Sequence, residues 1–86
     1  MTNQQRINII RERLTKALNP SQLEIVDESP HHMGHTGATT GAGHFAVAIA
    51  SPAFAEKTLV EKQRLVYKIL NDMIPDEIHA LRLKTK

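Results

Sequence analysis

"HFAVAIASPAFAEKTLVEKQRLVYKILNDMIPDEIHALRLK", residues 44–84, decides the fold. Residues 44–50 alternate: Phe45, Val47 and Ile49 fall on one face, and His44, Ala46, Ala48 and Ala50 on the other. That is the period of a strand with one buried face. "SPAF", residues 51–54, turns the chain. From roughly residue 56 to residue 73 the period becomes helical, with Leu59, Val66, Ile69, Leu70 and Met73 as the apolar stripe and Lys57, Glu61, Arg64 and Lys68 as the charged one. Pro75 stops it. Residues 77–84 alternate again, and strict alternation puts His79 with Leu81 and Leu83, against Ile78, Ala80, Arg82 and Lys84. Strand, helix and strand in that order predict a right-handed crossover with the two strands parallel.

Upstream, residues 3–18 read as an amphipathic helix. Ile7, Ile10, Leu14, Ala17 and Leu18 make its stripe, Thr2 and Gln5 fit a capping box, and Asn19-Pro20 is a stop. Residues 22–28 form a strand, with Leu23 and Ile25 facing one way and Glu24, Val26 and Glu28 the other. The order α-β-β-α-β predicts an α+β fold, a single domain over residues 1–86. Its three-stranded mixed sheet carries both helices on the face of Leu23, Ile25, Phe45, Val47 and Ile49.

The fifteen positions from Ser29 to Gly43, "SPHHMGHTGATTGAG", separate two strands that form one hairpin. Hairpin loops need only about 2–5 residues. This one holds all four glycines and three of the five histidines, His31, His32 and His35; His44 follows at once. "GATTGAG" lacks the lysine of a phosphate loop and leads into no helix. Imidazole is the commonest metal ligand, but neither the glutamate nor the helix of a hydrolytic zinc motif accompanies these histidines. A solvated polar loop and a zinc or nickel buffer on "HHMGH" both remain open. If the last two strands are parallel neighbours about 4.8 Å apart, His44 and His79 start them at the same sheet edge, where the loop also enters.

Composition narrows the classes. Eighty-six residues support one modest core and no deep cleft. The absence of cysteine excludes a disulfide, a thiol nucleophile and an all-thiolate zinc site. A formal charge of +2 is only mildly basic. No apolar run approaches the ~20 residues of a membrane span, and the first twenty residues lack the apolar core of a secretory signal. The expectation is a cytoplasmic domain with no membrane partner, monomeric or weakly homodimeric when alone. Asp27 and Glu28 are the only carboxylates beside the loop, and strand-end capping accounts for them, so the chain is expected not to be an enzyme.

"LEIVDES", a histidine-bearing loop, "GHFAVAIASPAF", the Arg64-to-Tyr67 spacing of the second helix and the closing "HAL" resemble, in this order, the BolA family. The resemblance covers nearly the whole chain and implies a fold similar to the type II KH domain. It also implies partnership with a monothiol glutaredoxin, the two proteins bridging a [2Fe–2S] cluster with glutathione, in iron–sulfur trafficking and iron homeostasis. His79 is then one ligand, and the second is one of His31, His32, His35 and His44. No cluster is expected to be held tightly by the isolated chain. Two imidazoles on one iron are known chemistry for such clusters. The alternative is a KH-like, DNA-binding transcription regulator of cell morphology and stress response. Lys57, Arg64, Lys68 and Lys84 are its candidate phosphate contacts, although Glu61 interrupts the stripe and no G-x-x-G loop is present.

Overall fold

The computed structural model describes residues 2–29 and 43–86. Helix α1 spans Asn3–Leu18, strand β1 Gln22–Asp27, strand β2 Gly43–Ala50, helix α2 Leu59–Leu70 and strand β3 Ile78–Thr85. His31, His32 and His35, and with them the metal-buffer reading of "HHMGH", lie outside the described residues.

Both helices begin where side chains satisfy their first free N–H groups. Thr2 Oγ1 accepts the Gln5 N–H at 3.1 Å while Gln5 Oε1 accepts the Thr2 N–H at 2.7 Å. Thr58 and Glu61 repeat the arrangement at α2, at 3.2 and 2.9 Å. Such a cap is worth about 0.5–2 kcal/mol. The Thr58 N–H bond, with help from the Thr58 hydroxyl, holds the Glu61 carboxyl below its usual range. Asn19 ends α1 in the left-handed region, φ 44° and ψ 58°, a conformation asparagine tolerates. Ser51 Oγ donates to the Leu18 carbonyl at 2.5 Å, which ties the turn after β2 to the end of α1. Arg13 of α1 pairs with Asp72 just beyond α2, and the pair holds the Asp72 carboxyl below its usual range.

β2 is the central strand. It pairs antiparallel with β1, Leu23 opposite Ile49 and Ile25 opposite Val47, and parallel with β3, Phe45 opposite Leu81 and Val47 opposite Leu83. One face of the sheet meets both helices in a core of Ile7, Ile10, Leu14, Phe45, Val47, Ile49, Val66 and Leu70, with Phe54 and Met73 closing it. The opposite face carries Val26, Ala46, Ala48, Arg82 and Lys84. Tyr67 of α2 reaches the outer strand, its hydroxyl donating to the Leu81 carbonyl at 3.2 Å.

Three expectations need correction. The second helix is shorter than residues 56–73, with a separate 3-10 turn at Asn71–Met73. Leu59, in its first turn, is 60% exposed, and Ala17 is also exposed, so neither joins the core that the stripe meets. At the start of β3 the faces are exchanged. Ile78 is fully buried and His79 is exposed, the reverse of strict alternation. The cause is a register shift: Gly43 lies opposite Ile78 but His44 lies opposite Ala80, so His79 is an extra residue in the ladder.

Candidate metal centre

The register shift builds the site. In β2, His44 follows the outward positions of Ala46 and Ala48, yet it is only 9% exposed. In β3 the extra residue leaves the helix-facing side, so His79 lies beside it. The two rings sit with centroids 5.0 Å apart and planes tilted by 56°.

Main-chain contacts hold both strands at this end. The His44 N–H donates to Ser29 Oγ at 3.0 Å, and the His44 carbonyl accepts the Glu28 N–H at 2.7 Å. The Gly43 N–H donates to the Glu77 carbonyl at 3.1 Å, the last bond before the bulge. Gly43 itself admits no side chain. A Cβ there would stand 2.3 Å from two ring carbons of Phe45. Asp27 and Glu28 take structural roles. Asp27 Oδ1 accepts the Ser29 N–H at 2.8 Å, and Glu28 pairs with Arg82 at 3.0 Å.

The spacing fits a pair of ligands on one metal. With a metal–nitrogen distance of about 2.0–2.1 Å, each imidazole centre stands about 3.2 Å from the ion, so two on one tetrahedral metal lie about 5 Å apart. Among the described residues no group of three or more His, Asp or Glu could hold a metal ion. Two imidazoles amount to half of a tetrahedral coordination sphere, and of this pair His79 is exposed while both ring nitrogens of His44 are buried.

Lys57, Arg64 and Lys68 come together along the outer side of α2, around Leu65 and Glu61. Lys84 does not join them. It lies on the helix-free face of the sheet beside Glu24 and Ala48. Residues near the histidine pair that sequence reasoning passed over are Asn3, Arg6 and Ser29. Arg6 carried a signal: it sits one turn before Ile10, on the core side of α1, and is 7% exposed.

Fold and site together define a class: a small α+β module in which two imidazoles, one exposed and one buried, meet at one end of a three-stranded mixed sheet. The family model described as BolA-like protein matches residues 14–86. The chain belongs to the BolA family. It is 42% identical over 82 residues to SufE-like protein 1 of Arabidopsis thaliana, covering 90% of this chain and 22% of that one. The solved BolA domain of the same protein superposes with a TM-score of 0.79, covering 91% of this chain and 86% of the domain. Protein BOLA1 of A. thaliana is 39% identical, with 94% and 52% covered. The chain thus spans about a fifth and about half of these two relatives, which are named as chloroplastic/mitochondrial and chloroplastic. The DNA-binding transcriptional regulator BolA of Escherichia coli is 34% identical over 76 residues, covering 88% of this chain and 70% of the regulator. No helix of the described residues is long and apolar enough to cross a membrane.

Proposed function

We propose that this chain is a binding module, not an enzyme, that joins a monothiol glutaredoxin around a shared [2Fe–2S] cluster in iron–sulfur trafficking. His44 and His79 are its two ligands, and the cluster is cargo held between the proteins. The observation that carries this reading is the His44–His79 ring contact where β2 and β3 begin. Two imidazoles complete nothing alone, and a chain without cysteine needs thiolates from its partner and from glutathione. When bound, the cluster carries one electron, and imidazole in place of thiolate raises its potential. The chain's residues hold and orient. β2 fixes His44 through its own backbone bonds, while exposed His79 meets the partner. His31, His32 and His35, which lie outside the described residues, are the alternatives to His44 as the second ligand. The cytoplasmic placement expected from the sequence goes with this reading.

The test is a visible circular dichroism spectrum of the complex assembled with a reconstituted monothiol glutaredoxin. His79→Ala is expected to abolish the mixed-cluster spectrum and leave the melting temperature unchanged, because His79 is exposed. An unchanged spectrum with lowered stability overturns the ligand assignment.

A second reading is favoured by the E. coli relative's name and by the meeting of Lys57, just before α2, with Arg64 and Lys68 on it. It is a DNA-binding regulator of transcription. Duplex binding that weakens steeply with salt, and weakens less steeply in Lys68→Ala, supports it. Salt-insensitive or absent binding removes it.

A further inference from the structure

A run of side-chain hydrogen bonds joins the first turn of α1 to both histidine-bearing strands. Arg6 donates through Nε to Glu77 Oε2 at 2.8 Å and through Nη1 to Asn3 Oδ1 at 2.7 Å. Asn3 Nδ2 donates onward to Asp27 Oδ2 at 3.2 Å and to Ser29 Oγ at 3.1 Å. Ser29 Oγ is the acceptor for the His44 N–H. Glu77, at the other end, lies two residues before His79, and its carbonyl takes the Gly43 N–H.

We propose that Asn3 and Ser29, backed by Arg6, are positioning residues that set the separation and tilt of the two imidazoles. The proposal rests on the reading of His44 and His79 as a ligand pair. The bulge interrupts the β2–β3 ladder where the histidines are placed, so regular pairing between these two strands does not set the position of His79 relative to His44. The network supplies the missing constraint. A planar guanidinium bonded at two nitrogens fixes direction as well as distance, and Asn3 uses both ends of its amide to pass that constraint to Ser29. A ligand pair works only when its supporting groups hold it close to the productive geometry.

Arg6 is a poor probe, because its loss would leave the Glu77 carboxylate without its cation and so read as instability. Neutral Ser29 and Asn3 separate position from stability. The experiment compares wild type, Ser29→Ala, Ser29→Thr and Asn3→Ala by three measurements: the NMR cross-peak between the His44 and His79 ring protons in the free protein, the visible circular dichroism of the glutaredoxin complex, and the melting temperature. Ser29→Ala and Asn3→Ala are expected to lose the ring–ring cross-peak and alter the spectrum, Ser29→Thr to keep both, and all four to keep their core resonances. Retention of the cross-peak in both alanine variants overturns the proposal. So does its loss only together with the core resonances, with no rescue by threonine. If the wild-type spectrum does not depend on His79, the ligand reading has failed, and the cross-peak in the free protein still decides whether the network positions the rings.

Discussion

The two sides of β2 are built differently. Toward β1 its register runs unbroken from Gln22 opposite Ala50 to Asp27 opposite Phe45; toward β3 it shifts once, between Gly43 and His44. The unbroken side keeps strict alternation and supplies core. The shifted side gives up one step of alternation, and that single extra residue lets Ile78 and Leu81, three positions apart, both lie toward the core while the His79 imidazole stays outside. Regular pairing makes the fold; one irregularity makes the candidate site.

The comparison breaks most severely at Phe45, which is 1% exposed and contacts both registers. Phe45→Ala is expected to cost about 3–5 kcal/mol, read from the denaturant midpoint. Gly43→Ala tests the shifted side alone. Its Cβ would collide with the Phe45 ring and meet Asn3 Oδ1 at 3.0 Å, so a loss of about 1–3 kcal/mol is expected from overpacking. If this variant melts like wild type, the close packing at the bulge is not as described. The smallest effect lies outside the sheet. Glu61, bonded by the Thr58 backbone and hydroxyl, and Asp72, bonded by Arg13, both have lowered carboxyl pKa values. The folded state therefore binds fewer protons than the unfolded chain. The stability they lend is present above the ordinary carboxylate range and is lost as pH falls from about 5 through the lowered values. Melting temperature against pH should show a shallower acid decline in Glu61→Gln and Asp72→Asn than in wild type.

Much of this was legible because local chemistry and global packing agree. The bounds of α1, its Thr2–Gln5 cap and its Asn19 stop follow from side-chain hydrogen bonding, and the faces of β1 and β2 follow from alternation. The start of β3 was not legible by alternation, since a bulge depends on what the neighbouring strand permits. One clue was present: Ile78 and Leu81 are three apart, an odd spacing that no regular strand buries on one side. Ser29 and Asn3 gave no signal. Their roles arise from contacts 24 to 26 residues apart in sequence.

The phenol of Tyr67 has a consequence for how copies of this protein meet. β3 is a border of the sheet, and a border strand offers unpaired peptide groups to any extended chain that drifts alongside. The Tyr67 hydroxyl engages the Leu81 carbonyl, while Arg82 and Lys84 on the same strand, and Lys86 just after it, carry positive charge. Such a border resists fibril-like stacking of copies through strand addition.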